Sequence, residues 1–168
     1  FALRRAATLN GVVVSAPLLR TRSVPPAWKT WLARGLRRLG PMISLPSGLD
    51  VEGLSRDPAV IRAYRADPLV HDRVSPSFLD VLAAGEWALR HAGELRVPML
   101  LMHGGSDRIT SPEASAEFAA RVGLRCTLQI WDDLYHEIHN EPEQADVMDC
   151  VGTWLDRMSW GPSAAPTP

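Results

Sequence analysis

Two short apolar runs separated by a helical pattern constrain the fold of this chain more than any other feature. The first run, residues 97–103, reads Val-Pro-Met-Leu-Leu-Met-His, and the second, residues 126–131, reads Cys-Thr-Leu-Gln-Ile-Trp. Runs of this length and composition are typical of strands that are buried in a parallel sheet. The helical pattern between them begins at Ser111 and Pro112, a capping residue followed by proline at the first helical position. This order predicts parallel pairing through a right-handed crossover.

A third apolar run, residues 11–16, predicts one more buried strand because it is short and rich in valine. Residues 18–96 hold helical stretches interrupted by prolines and no comparable strand, which predicts a helical cap or lid inserted between two strands. The predicted fold class is therefore α/β, with about three parallel strands and flanking helices. The core would comprise residues 1–17 and 97–160, and the small, proline-rich residues 161–168 would form a flexible tail.

Both ends of the chain carry helical patterns. The opening residues, Phe1 to Ala7, read as the middle of a helix with no capping residue before it. We therefore expect the chain to be a fragment of a longer one. A last helix is predicted from Asn140, because Asn140 and Glu143 have the spacing of a capping box.

The composition argues against several classes of protein. A net charge of −1 over 168 residues gives no reason to expect nucleic-acid binding. No apolar run reaches membrane-spanning length, and no signal peptide is visible. Cys126 and Cys150 have neither the spacing of a zinc site nor that of a disulfide framework. Because glycine-rich phosphate loops and metal motifs are also absent, we expect no cofactor, no metal and no nucleic-acid partner. The expected location is cytoplasmic, with peripheral contact at a membrane as a second expectation.

Asp107 and His136 each follow one of the two apolar runs. Asp107 ends the turn Gly-Gly-Ser-Asp after the first run, and His136 lies five residues after the second. Ligands of parallel sheets bind beyond the carboxyl ends of the strands, where both residues are expected. An acid and a histidine there are two of the three members of a hydrolase triad, but no Gly-x-Ser-x-Gly turn for a nucleophile occurs in the sequence. The alternatives are an aspartate that bonds its own turn and an ordinary loop histidine.

Two other histidines lie near these positions. His139 follows His136 by three residues, and its place beside the last helix predicts a structural role. The His-x-x-His spacing does not predict a metal site, because no third ligand has suitable spacing. His103 ends a strand inside the sheet, and we interpret it as a core histidine with satisfied hydrogen bonds.

A basic amphipathic helix is predicted within the cap. One face carries the apolar residues Trp28, Trp31, Leu32, Leu36 and Leu39, and the other carries Lys29, Arg34, Arg37 and Arg38. Such a helix can lie on a membrane surface or an acyl-bearing interface. It can equally pack on its own domain and leave the arginines in solvent, and the pattern does not separate the two.

These segments resemble the α/β-hydrolase family, and within it the monoacylglycerol lipase and lysophospholipase-like group. Residues 11–18 are similar to the strand after the nucleophile helix, and residues 54–58 and 64–70 to the lipid-binding cap. Residues 97–108 are similar to the strand and turn of the triad acid, and residues 135–141 to the loop of the triad histidine. The resemblance covers nearly the whole chain and implies the C-terminal part of such a fold, without its nucleophile.

The resemblance implies a carboxylic ester hydrolase that acts on monoacylglycerol- or lysophospholipid-like substrates. Asp107 would be the triad acid, His136 the general base, and the nucleophilic serine would lie upstream of Phe1. The cap would form an acyl tunnel and contact a lipid interface, with candidate substrate-binding residues Trp28, Trp31, Leu32 and Leu36. Two alternatives remain: an aspartate nucleophile, as in dehalogenases and epoxide hydrolases, or a noncatalytic interaction protein of the same fold.

Overall fold

The computed structural model describes residues 1–5, 9–23, 31, 35 and 44–158. Within these residues the strands are β1 (Val12–Ser15), β2 (Leu45–Pro46), β3 (Arg73–Val74), β4 (Met99–Gly104) and β5 (Cys126–Trp131). The α-helices of this part are α1 (Pro58–Ala66), α2 (Phe78–Arg90), α3 (Pro112–Val122) and α4 (Gln144–Arg157). No helix among them is long and apolar enough to cross a membrane.

The main sheet is parallel and has the strand order β1-β4-β5. Met99 at the start of β4 pairs with Val12 on one side and with Cys126 on the other. Every residue of β4 is buried, as its unbroken apolar run predicts for a central strand. The predicted α/β class with three parallel strands and flanking helices is confirmed.

Helix α3 connects β4 to β5 and begins where the sequence predicts. The Ser111 side chain accepts a hydrogen bond of 3.1 Å from the amide of Ala114, and Pro112 occupies the first turn. Such a cap satisfies one of the amides that the helix itself leaves unpaired. Gly123 follows the helix with φ 72°, a backbone conformation that favours glycine.

The side chains of β4 alternate between two hydrophobic clusters, one on each face of the sheet. Leu101 lies in a cluster with Leu89 and Phe118, which come from α2 and α3. Leu100 lies in the opposite cluster with Trp154 from α4. The alternation follows from the two-residue period of a strand. Because burying one leucine side chain contributes about 1.5–3 kcal/mol, β4 is held firmly from both sides.

Two elements differ from the sequence-based expectation. The last helix begins at Gln144 rather than Asn140, because residues Ile138–Asn140 form a separate 3-10 turn. The Asn140 side chain donates to Glu137 and the Glu143 carboxylate pairs with Arg56, and the helix has no side-chain cap. In the predicted helical region, β2 and β3 pair antiparallel over two residues each, a length too short to leave a pattern in the sequence.

Residues near both ends of the predicted cap pack into the core of the sheet. Leu19, Leu89, Ala92 and Leu95 are buried in the same cluster as Leu101. These contacts join the ends of the cap range to the sheet, and the division into core and cap stays a prediction. The predicted tail, residues 161–168, lies outside the described residues.

Candidate active site

Asp107 and His136, called the Asp–His pair below, meet at the carboxyl end of the main sheet. Asp107 lies three residues after the end of β4, and His136 lies five residues after the end of β5. The Nδ1 atom of His136 lies 2.8 Å from Oδ2 of Asp107. The structure therefore brings together the two residues that the sequence singled out, in hydrogen-bonding contact.

Glycines after β4 allow the two loops of the pair to touch. A Cβ atom on Gly104 would lie 2.1 Å from the carbonyl oxygen of Tyr135, and one on Gly105 would lie 2.8 Å from the Cα of Asp132. The amide of Gly105 donates to the carbonyl of Trp131 over 2.7 Å. Only glycine, which has no side chain, allows the backbones of the two loops to lie this close, and this closeness sets the spacing between the loops.

The Asp107 carboxylate is buried and accepts several hydrogen bonds. Oδ1 accepts from the amides of Ile109 (2.7 Å) and Thr110 (3.0 Å). Asp107 therefore also bonds its own turn, as the alternative interpretation of this residue expects. Oδ2 accepts from the Thr110 hydroxyl (2.8 Å) and from His103 and His136. Burial acts to raise the pKa of Asp107, but these donors outweigh it and hold the pKa well below its usual range. The side chain is therefore a buried anion at neutral pH.

His136 is held by its backbone and directs its second ring nitrogen away from the carboxylate. Its amide donates to the carbonyl of Gly53 (3.3 Å), and the next amide, of Glu137, donates to Leu54 (2.8 Å). Because a carboxylate can only accept, Nδ1 carries the proton and Nε2 presents a lone pair. Nε2 has no hydrogen-bond partner among the described residues, and the His136 side chain is 24% exposed.

A buried glutamate anchors the loop that carries His136. Glu141 accepts a hydrogen bond of 2.7 Å from the amide of Tyr135 through Oε1. Its Oε2 accepts from the amide of Arg56 (3.1 Å) and from the Arg56 guanidinium (3.0 Å). Ser55, next to Arg56, donates its hydroxyl to the carbonyl of Asn140 (2.9 Å). Sequence reasoning missed this role of Glu141, because no spacing or motif distinguishes it from the other acidic residues nearby.

His103 also contacts the buried carboxylate. Its ring is fully buried, with Nε2 at 2.9 Å from Asp107 Oδ2 and Nδ1 at 2.7 Å from the Ser115 hydroxyl. The interpretation of His103 as a core histidine with satisfied hydrogen bonds is confirmed. Its partner was not predicted, although the four-residue spacing between His103 and Asp107 is visible in the sequence.

The sequence of the chain matches a known protein family. A sequence model described as "Serine aminopeptidase, S33" matches residues 1–143 of the 168. The chain belongs to this family of α/β-hydrolases.

Relatives of this S33-family chain include monoacylglycerol lipases. The chain is 33% identical over 149 residues to the monoacylglycerol lipase of Mycolicibacterium smegmatis, and the match covers 87% of the chain and 53% of that protein. It is 27% identical to phospholipase YtpA of Bacillus subtilis, over 92% of the chain and 61% of that protein. The crystal structure of Paleococcus ferrophilus monoacylglycerol lipase superposes with a TM-score of 0.84 at 35% identity, covering 92% and 61% of the two chains. The chain thus spans about half the length of the first of these relatives.

A cavity of about 430 Å³ in this S33-family chain is lined by residues of the two loops that carry the Asp–His pair, but not by Asp107 or His136 themselves. Arg108 and Tyr135, each adjacent in sequence to a member of the pair, line it together with Arg56, Arg62 and Arg65. Three of these arginines have acidic partners: Arg56 with Glu141 and Glu143, Arg65 with Glu52, and Arg108 with Asp50. Arg62 makes no ion pair with a described residue. The positive charge around the cavity is therefore largely compensated.

Most of the predicted substrate-binding residues of the cap, Trp28, Leu32 and Leu36, lie outside the described residues. Trp31 lies in a helical position and its side chain is 76% exposed. Their role in the S33-family chain stays a prediction. Across residues 1–5, 9–23 and 44–158, no group of three histidine, cysteine or acidic residues is placed to hold a metal ion.

Proposed function

We propose that this chain is the C-terminal part of a serine ester hydrolase, with Asp107 as the triad acid and His136 as the general base. The contact of 2.8 Å between His136 Nδ1 and Asp107 Oδ2 carries the proposal, because it leaves Nε2 free to accept a proton. The buried, anionic carboxylate beside it is the environment that stabilises an imidazolium. The nucleophilic serine is expected upstream of Phe1.

The proposed mechanism is acyl transfer in two steps. His136 Nε2 takes the proton of the serine hydroxyl as the serine oxygen attacks the ester carbonyl, and Asp107 stabilises the resulting imidazolium. His136 then gives this proton to the leaving alcohol, and an acyl-serine remains. Water attacks the acyl-serine with the same proton transfers in reverse, which releases the fatty acid and restores the serine.

We take the substrate to be a monoacylglycerol-like ester, with lysophospholipid-like esters as the alternative. Three of the four arginines that line the cavity already have acidic partners, which suits a neutral head group better than a phosphate. The names of the Mycolicibacterium smegmatis and Paleococcus ferrophilus relatives agree with this choice. The exposed Trp31 is consistent with cap contact at a lipid interface, and we propose a cytoplasmic protein that meets its substrate there.

Labelling of the full-length protein with a fluorophosphonate probe tests the proposal. The probe bonds to a serine only when a base activates it, so His136→Ala should abolish labelling and ester hydrolysis together. His139→Ala is the matched control, because His139 is exposed and lies three residues away on the same loop. Peptide mapping of the label should identify a serine upstream of Phe1.

Other results of the same experiment would point elsewhere. Undiminished labelling of His136→Ala would remove His136 from the mechanism. No labelling, with an ester bond formed between substrate and an aspartate, would indicate the dehalogenase-like alternative. Neither labelling nor turnover of esters or aminoacyl anilides would favour a noncatalytic protein.

A further inference from the structure

Asp107 bonds two histidines through the same oxygen atom. His136 Nδ1 lies 2.8 Å and His103 Nε2 lies 2.9 Å from Oδ2. His136 is partly exposed, whereas the His103 side chain is 0% exposed. His103 therefore cannot touch a substrate, and its contact with the carboxylate has to act through Asp107.

His103 belongs to a buried polar chain that begins at a serine. Ser115 on α3 is fully buried, and among the described residues its hydroxyl has one hydrogen-bond partner, His103 Nδ1, at 2.7 Å. Since the carboxylate only accepts, His103 carries a proton on Nε2. Nδ1, on the other side of the ring, has the Ser115 hydroxyl as its hydrogen-bond partner, so the ring is held at both nitrogens.

The contacts of Asp107 restrain both of its oxygens. Oδ1 is held by two amides of its own turn, from Ile109 and Thr110. Oδ2 is held by the Thr110 hydroxyl and by His103, which lies on the central strand β4. With Oδ1 held by the backbone amides, the position of Oδ2 depends on two side chains, Thr110 and His103. Of these two, only His103 connects the carboxylate to the sheet and, through Ser115, to α3.

We propose that His103, whose ring is held on its other side by Ser115, is a positioning residue that fixes Oδ2 of Asp107 for its hydrogen bond with His136. The inference deepens the proposed function and rests on it for its catalytic consequence, but the geometry that it describes exists whether or not the protein hydrolyses esters. A purely packing role would require only shape at His103, and would give the Ser115 hydroxyl no purpose in a fully buried position.

Two substitutions in the full-length protein separate positioning from packing. His103→Gln places an amide N–H near the position of Nε2, whereas His103→Leu fills similar space without a donor. The first readout is proton NMR of the low-field His136 Nδ1–H signal, which is assigned by its absence in His136→Ala. We expect this signal in the native protein and in His103→Gln, and its loss in His103→Leu. The readout does not depend on turnover, so it tests the inference even if the proposed function fails.

Steady-state kinetics supply the second readout. Misplacing a catalytic group by about 1 Å can cost on the order of 100-fold, so His103→Leu should lower kcat about 10- to 100-fold with KM nearly unchanged. His103→Gln should recover most of this loss. If His103→Leu does not fold, Ser115→Ala decides, since it removes one hydroxyl and should broaden or shift the His136 signal. A folded His103→Leu with the native signal, a His103→Gln as impaired as His103→Leu, or a Ser115→Ala with an unchanged signal would overturn the proposal.

Discussion

The carbonyl oxygen of Tyr135 lies in the space that a side chain on Gly104 would need, since a Cβ atom there would be only 2.1 Å away. Gly104 ends β4, three residues before Asp107, and Tyr135 directly precedes His136. This contact between two loops sets the distance over which the Asp–His pair meets.

Gly104→Ala should therefore damage both stability and activity. The added methyl group meets backbone atoms of Leu134 and Tyr135 that cannot turn away, so the loops must separate. We expect a loss of at least about 1–3 kcal/mol in the free energy of unfolding, as for an overpacked core. Chemical denaturation and kcat of the full-length protein measure the two effects.

Gly152→Ala is the control for this prediction. Gly152 lies within α4, and a Cβ atom there would meet nothing within 4 Å. Alanine in a helix interior is favoured over glycine by about 0.5–1 kcal/mol, so this variant should be as stable as the native protein or more so. A Gly104→Ala variant that behaves in the same way would contradict the role given to the loop contact.

The stability conferred by Asp107 should depend on pH in the acidic range. Its pKa is lower in the folded protein than the ordinary value of 3.8, so the unfolded chain binds the proton more readily. The stabilisation is therefore fully present above the ordinary pKa and is lost as the pH falls through it towards the lowered value. Thermal unfolding from pH 7 to pH 3 should show the native protein losing more stability than Asp107→Asn. Parallel profiles for the two proteins would contradict the lowered pKa.

Glu141→Gln should destabilise the loop of His136 more than Glu143→Gln does. Both glutamates pair with Arg56, but Glu141 is fully buried and Glu143 is 41% exposed. Glutamine at position 141 would turn an N–H group towards donors and leave them unsatisfied, which costs about 1–3 kcal/mol. The pair with Glu143 lies partly in solvent, which screens it, so its loss should cost less. Urea denaturation of the two variants measures the difference, and equal losses would refute it.

Removing an acidic partner near the cavity should change the preference for the head group. Glu52→Gln frees Arg65, which lines the cavity and pairs with Glu52. We expect kcat/KM to rise a few-fold for a phosphate-bearing lysolipid relative to monoacylglycerol, because one more positive charge faces the cavity. The gain should shrink at high salt, since both side chains are more than half exposed.

Asp149→Asn provides the matched control for this change in preference. It makes the same change of charge on the exposed surface of α4, away from the residues that line the cavity. An equal shift in preference for Asp149→Asn would show that net charge, and not the cavity, is responsible.

Much of the fold could be predicted because its signals are local. The apolar run of β4 and the Ser111-Pro112 start of α3 are patterns within a few residues, and both are confirmed. The capping-box spacing of Asn140 and Glu143 predicts the start of the last helix wrongly, because Asn140 ends a separate 3-10 turn and Glu143 pairs with Arg56. The antiparallel pair β2 and β3 could not be predicted, since its partners are nearly thirty residues apart and each strand has two residues.

The candidate site divides in the same way. The sequence by itself determined that an acid and a histidine follow neighbouring parallel strands, because strand order and apolar runs are written in consecutive residues. Only the tertiary structure decided that Asp107 Oδ2 serves both His136 and His103, that Glu141 anchors the histidine loop, and that Gly104 lies against Tyr135. These contacts join loops and elements that pack together only in the folded chain. A hydrogen bond forms only where donor and acceptor lie within a few tenths of an ångström of their preferred separation, and no sequence spacing encodes that precision.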